Sequence, residues 1–305
     1  MKVYQNPIQH EKRWDQLVGP LVPKDGKDRL FLDLGCNAGF YMVKAEELGY
    51  RAFGVEREQG FIDQAPKGLN ITKGDINTYR VYKSERGSTF RRKTGERIVL
   101  NETPAAYITL LANVLYHQTD AQVESILRHL MYSSAYLLIM GRHKGSNVTS
   151  RPDRDHLGRI LDRKVWKIEN ETSTKKFYAV LAKNYSVEER SVADLYRQAV
   201  TYSIGNGGHH DFFEPFADFV RRVITDDDKP DDKTAYWQYL RSRKFRYRHG
   251  LCFWYRHMVE EAIANGGILT ALDCLDGRVL DGHHRLVIAK ELGIKRLIVR
   301  QRQEK

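Results

Sequence analysis

The stretch FLDLGCNAGFY, residues 31–41, decides how this chain is read. An apolar run, Leu30, Phe31 and Leu32, ends in Asp33. The residues Gly35-Cys36-Asn37-Ala38-Gly39 then form a tight turn, and FYMVKAEELG continues as a helix that stops at Gly49. Strand, glycine turn and helix start together make a nucleotide-site geometry, because the first amides of a helix have no partner within it. Gly35 can take the backbone angles of a sharp turn, and Gly39 lets the helix pack close to the strand.

Working outward, the chain alternates strand and helix as an open α/β sheet does. Strands are predicted over residues 30–34, 51–56, 70–74, 106–112 and 135–140, with helices over 39–48, 121–131 and 155–162. A lead-in helix is expected around 11–18, and a short one, REQGFIDQA, before Pro66. Residues 76–104 break the pattern. They are basic and carry Thr and Gly, and they read as an insertion or β-ribbon. The strands at 165–169 and 176–182 are joined only by ENETST, which closes the sheet with an antiparallel pair.

A second unit follows. Residues 186–200 read as a joining helix, 205–211 (GNGGHHD) as a loop, and 212–224 as a helix interrupted near Pro215. An exposed acidic loop, DDDKPDD, follows at 226–232, and one or two helices fill 236–267. The end is a compact unit: strand 268–274, an Asp276-Gly277 turn, strand 278–280, loop 281–282, helix 283–292 and strand 295–300. Asp-Gly between apolar runs is a strong hairpin signal. The division expected is residues 1–185 and 186–305.

Composition bounds the function. At 41% hydrophobic, the 305 residues can bury a core of two ordinary domains. Cys36, Cys252 and Cys274 are far apart, which argues against a disulfide framework or zinc site and suits a reducing, cytoplasmic setting. No apolar run is long enough to span a membrane, and the first residues carry no apolar signal region. The net charge of +11 points to an anionic partner: nucleic acid, a phosphorylated substrate or a membrane surface. The basic runs at 80–97 and 241–249 are solvated surface on their simplest reading, although Phe245 and Tyr247 are interleaved as base stacking would use them.

Asp33 through Gly39 resembles motif I of the class I S-adenosylmethionine-dependent methyltransferases, and the resemblance covers roughly residues 28–185. It implies a Rossmann-like seven-stranded sheet with a reversed last strand. It implies cofactor contacts from Asp33, Gly35, Asn37, Gly39, Glu56, Asp75 and Asn113. Glu56 ends the second strand, where a carboxylate can accept both ribose hydroxyl protons, and Asp75 stands near the adenine amino group. Asn37 replaces the family's usual glycine, and Asn tolerates left-handed angles. An NAD-type fingerprint fits less well, since no glycine stands at 37. Methyl transfer needs mainly positioning. His117 is the candidate general base, with contact to adenine or solvent as the alternative. Tyr41 and Tyr116 are candidate contacts or core residues. The absence of an N/D-PP-Y/F motif counts against amino-methylation of DNA bases.

VLDGHHRLVIAKELGIKRLIVR, residues 279–300, resembles the ParB/sulfiredoxin-like superfamily, with the match covering about 256–301. That implies a smaller α+β domain whose turn, Asp281, Gly282, His283, His284 and Arg285, holds nucleotide phosphates, with ATP or CTP and Mg2+ as ligands. The competing reading is a helix capped by Asp281 with a packed histidine pair. The cysteine of the sulfiredoxins is missing from this turn, which argues against sulfinic-acid repair. His209-His210-Asp211 reads as surface loop. The expected function is methyl transfer to a small-molecule or glycan acceptor, with a nucleotide-binding or kinase second domain. The alternative is a nucleic-acid methyltransferase targeted by its second domain.

Overall fold

The computed structural model describes residues 7–77, 89–91, 97–99, 105–131, 133–143, 154–161, 165–205, 210–225, 234–243, 248–264, 271–275 and 278–301. The readings of the acidic loop at 226–232, the Asp276-Gly277 turn, His209 and most of 76–104 lie outside those residues, as does much of both basic runs. The chain divides into two compact units, Met1–Glu188 and Glu189–Lys305.

The first unit opens with α1 (Pro7–Arg13), which runs on into a π-helical turn, Trp14–Val18. Trp14, Leu17 and Val18 are buried with Phe31, Tyr41, Ile108 and Met140, so the lead-in is part of the core. The sheet strands are β1 (Leu30–Leu34), β2 (Arg51–Glu56) and β3 (Asn70–Lys73), followed by β6 (Ala106–Ala112), β7 (Ser134–Arg142), β8 (Trp166–Ser173) and β9 (Phe177–Asn184). The intervening β4 (Thr89–Arg91) and β5 (Arg97–Val99) pair antiparallel as a separate ribbon, as the broken pattern suggested. α2 (Phe40–Glu47), α3 (Gln59–Ile62), α4 (Asp120–Leu130) and α5 (Arg154–Leu161) connect them.

Strand order is β3-β2-β1-β6-β7-β9-β8. β9 runs antiparallel to both neighbours, and the pairings of β3, β2, β1, β6 and β7 are parallel. All five residues of β1 are buried, including Asp33, as befits a central strand covered on both faces. From β1 the chain builds outward through β2 and β3, then returns to the other side of β1 through β6 and β7. The order therefore reverses between β1 and β6. Beyond the carboxyl ends of those two strands the crossovers diverge and leave a crevice, the general ligand position of open α/β sheets.

The second unit has the sheet β10-β13-β11-β12, made of β10 (Val187–Ser191), β11 (Leu272–Leu275), β12 (Arg278–Asp281) and β13 (Arg296–Gln301). Its helices are α6 (Val192–Gly205), α7 (Phe213–Ile224), α8 (Ala235–Ser242), α9 (Arg248–Ala264) and α10 (His283–Glu291). Two expectations are corrected here. Residues 187–191 are a strand, not the start of a helix; Val187 is buried, and tertiary pairing overrides a helix-compatible sequence. The helix begins at Val192, where the Ser191 hydroxyl accepts the Asp194 amide at 3.3 Å. α7 is continuous through Pro215, because that residue stands in the first turn, where its missing N–H has no intrahelical partner to lose.

Trp14 anchors the lead-in. Trp14→Ala should cost about 3–5 kcal/mol of stability, read as a lower urea midpoint followed by circular dichroism; an unchanged midpoint would show that the lead-in does not contribute to the core.

Candidate functional site

The site grows from the turn between β1 and α2. Gly35 and Gly39 have φ of 82° and 81°, and Asn37 sits at φ 54°. Asn37 holds its left-handed angle by accepting the Ala38 amide on its own Oδ1 at 2.9 Å. A Cβ on Gly35 would lie 2.3 Å from Cγ1 of Val114, just beyond β6. A Cβ on Gly39 would lie 2.5 Å from Cδ1 of Leu69. The Gly35 and Cys36 amides donate to the Val55 carbonyl at 2.8 and 3.1 Å, tying the turn to β2.

Glu56 ends β2 and locks this arrangement. Its Oε2 accepts the Asn37 amide at 2.8 Å, and its Oε1 accepts the amides of Arg57 at 2.8 Å and Glu58 at 2.9 Å. A carboxylate oxygen has two acceptor positions, so Oε2 keeps one for a hydroxyl donor. Asp75 lies beyond β3 and accepts the backbone and side-chain amides of Asn77 on Oδ1.

Asp33 is the unusual group. Its side chain is fully buried, and among the described residues neither carboxyl oxygen has a hydrogen-bond partner. Burial, and next the Glu56 carboxylate, push its pKa up to about 8. A buried carboxyl left without a donor is a costly arrangement. Asn113, at the end of β6, is a second such group. It stands at φ 57°, its amide donates to the Met140 carbonyl at 2.9 Å, and its Oδ1 is buried without a partner among the described residues. The two strands on either side of the crevice thus each present an unsatisfied acceptor.

Past Asn113 the rim is aromatic and cationic. The Tyr116 and His117 rings lie tilted against each other with centroids 3.9 Å apart. His117 is exposed. Desolvation, then Arg57 and Arg142, hold it below the usual histidine range, so at neutral pH it is an uncharged imidazole able to take a proton. The Arg142 guanidinium at the end of β7 lies over the rings of Tyr116 (5.7 Å) and Phe177 (5.4 Å), and the Arg13 guanidinium lies over Phe177 at 4.7 Å. Tyr41 is a core residue, packed edge-on against His10 and buried beside Trp14.

The structure therefore gathers Asp33, Gly35, Asn37, Gly39 and Glu56 around one turn, with Asn113 and His117 following β6 across the switch point. Sequence reading passed over Arg13, Arg142 and Phe177. The available signal was positional: Gly141-Arg142 ends an apolar strand at the carboxyl edge of the sheet, where site residues collect.

The second sequence-predicted site lies at the start of α10. Gly282, at φ 97°, occupies the cap of α10, and no side chain caps that helix. His284 turns inward. It stacks on Tyr255 at 4.1 Å, meets Phe216 edge-on at 4.7 Å, and its Nε2 shares a 3.1 Å hydrogen bond with the Tyr236 hydroxyl. Burial, with His283 and Arg285 beside it, lowers its pKa to about 3, so it carries no charge for a phosphate. Arg285 is folded back too, donating to the Ala271 carbonyl at 2.9 Å and to Asp281 at 3.2 Å. His283 packs edge-on near Phe213 at 5.9 Å. Both histidines thus have aromatic neighbours within the unit, the packed arrangement of the competing reading. Among the described residues no cluster of His, Cys, Asp and Glu side chains is grouped to hold a metal, and no helix is long and apolar enough to cross a membrane.

No protein-family model matches the chain, and no curated protein matches it. Solved structures do. An N-methyltransferase of Bradyrhizobium japonicum WM9, in complex with S-adenosyl-L-homocysteine, is 13% identical over 60% of this chain and 91% of its own, with a TM-score of 0.46. The magnesium protoporphyrin IX methyltransferase of Synechocystis PCC 6803 with bound S-adenosylhomocysteine is 15% identical over 60% of this chain and 90% of its own, with a TM-score of 0.44. A protein from Pyrococcus horikoshii OT3 is 11% identical over 59% and 92%, with a TM-score of 0.42.

The orphaned carboxyl sets a pH dependence. Between about pH 4 and pH 8 the folded chain keeps the Asp33 proton that the unfolded chain has released. The unfolded state then binds fewer protons, so stability from this group falls as pH rises through that window. Asp33→Asn should remove this fall. The wild-type unfolding free energy from urea titration should drop relative to the variant from pH 5 to pH 8, by an amount on the order of a few kcal/mol; parallel pH profiles would show that Asp33 is not buried unpaired.

Proposed function

We propose that the first unit binds S-adenosylmethionine in the crevice at the ends of β1 and β6 and transfers its methyl group to a small-molecule acceptor. The observation that carries this reading is Asp33: a buried carboxyl, without a hydrogen-bond donor, beneath the Gly35–Gly39 turn. A cationic ligand group offers what the fold withholds, and S-adenosylmethionine carries an ammonium and a sulfonium. Asn113 Oδ1 is a further acceptor for ligand N–H or O–H groups. Oε2 of Glu56 has an acceptor position left for a ribose hydroxyl, and Asp75 is assigned to the adenine edge. The strand order and reversed β9 agree with the fold that the motif resemblance implies.

When bound, the cofactor supplies an electrophilic methyl group, so the chain's task is placement. The left-handed turn holds the backbone open to the ligand. Tyr116 and the Arg142 rim cover the acceptor side and reduce water access there. His117, uncharged at neutral pH, takes a proton from an acceptor that arrives protonated. In the second unit, Arg285 and His284 are spent within the unit's own fold, so methyl transfer is assigned to the first unit alone.

Calorimetric titration with S-adenosylmethionine and S-adenosylhomocysteine tests the reading. One site per chain is expected, and Glu56→Gln should weaken both ligands roughly tenfold or more, since it removes a charged acceptor. Failure of both ligands to bind the wild-type chain would contradict the assignment. Once an acceptor is in hand, His117→Ala should lower turnover by about 100-fold and leave the S-adenosylhomocysteine affinity unchanged.

A further inference from the structure

Arg13 and Arg142 are cations without carboxylate partners among the described residues, gathered at one aromatic ring. The Arg13 guanidinium carbon is 4.7 Å from the Phe177 centroid, and that of Arg142 is 5.4 Å from the same ring. Arg142 also lies 5.7 Å from the Tyr116 ring. Its Nε is buried with no hydrogen-bond partner. Surface arginines in a basic protein are ordinarily solvated, and a buried guanidinium N–H that goes unused costs free energy.

Three further features bear on this cationic edge. Arg142 lies two residues past Met140, whose carbonyl accepts the Asn113 amide, so the arginine stands at the same carboxyl edge as the crevice. The positive field is felt by nearby imidazoles. After desolvation, Arg13 lowers the pKa of His10, and Arg57 and Arg142 lower that of His117. The acids of the site, Asp33 and Glu56, belong to the turn on the cofactor side, Asp33 one residue before the end of β1 and Glu56 at the end of β2.

We infer that Arg142, assisted by Arg13, is the specificity determinant for the acceptor: the acceptor is a small planar molecule carrying a carboxylate or phosphate. A guanidinium fork matches either anion with two parallel hydrogen bonds, and its planar face, like the aromatic surroundings of Phe177 and Tyr116, suits a flat ring. An anion seated on Arg142 puts the rest of the molecule toward Tyr116 and His117, where its nucleophile meets the methyl group. This inference rests on the proposed cofactor site, since it defines where that methyl group stands.

The experiment uses the full chain saturated with S-adenosylhomocysteine and titrated with benzoate, phenyl phosphate and the neutral benzyl alcohol. Benzoate or phenyl phosphate should bind at least tenfold more tightly than benzyl alcohol, and whichever binds identifies the anion class. Arg142→Met should abolish that preference, and Arg142→Lys should retain part of it, because a point charge keeps attraction but loses the fork. S-adenosylhomocysteine affinity should be unchanged in both variants. Equal binding of the anions and the alcohol by the wild-type chain, or a preference that survives Arg142→Met, would overturn the inference while leaving the cofactor site standing. If S-adenosylhomocysteine itself fails to bind, the cofactor reading falls and this inference falls with it. The wild-type comparison needs no variant, so instability of Arg142→Met cannot shield the idea.

Discussion

One carboxylate holds the first unit's working end together. Glu56 accepts three backbone amides, one from the turn after β1 and two from the residues that follow it. That fixes the glycine turn against the neighbouring strand at the place where the sheet changes direction. The conformation is not cheap, since Asn37 and Asn113 both occupy left-handed angles that ordinary residues avoid. Charge-assisted hydrogen bonds to Glu56 are strong enough to offset about that much strain. They also keep a negative charge close to Asp33, so the Asp33 carboxyl stays protonated in the absence of a cation. Turn geometry and site electrostatics are therefore one arrangement.

Charges of both signs collect at this sheet edge. Asp33 and Glu56 lie near the ends of β1 and β2, Arg57 follows Glu56, and Arg142 ends β7 beside Tyr116 and Phe177. Arg57 and Arg142 both act on His117, and Arg13 and Asp33 both act on Tyr41. The protein's overall charge of +11 says nothing so local.

Much of the first unit was legible in the sequence because its signals are local. Apolar runs of strand length, glycine at the turn and an acid at the end of β2 each follow from short-range rules, and the helix-free link between β8 and β9 gave the reversed strand. Asn37 at a left-handed angle was read correctly from residue type. What escaped reading depends on distant partners. Residues 187–191 became a strand because β13, a hundred residues later, offers an edge. His284 and Arg285 read as a phosphate grip or as a packed pair, and their contacts with Phe216, Tyr236, Tyr255 and Ala271 come from segments too distant for the spacing to show. Arg13 and Arg142 lie far apart in sequence and meet only through Phe177. Motif spacing cannot report such convergence.

The most direct measurement of the central claim is proton counting on ligand binding. S-adenosylmethionine is titrated calorimetrically at pH 7 in two buffers of different ionisation heat, into the wild-type chain and into Asp33→Asn. If the cofactor's positive groups are what Asp33 lacks, binding ionises that carboxyl and releases on the order of one proton from the wild-type site, and none from the variant. Heats that are independent of buffer in the wild-type chain, or the same proton release in both, would contradict the account.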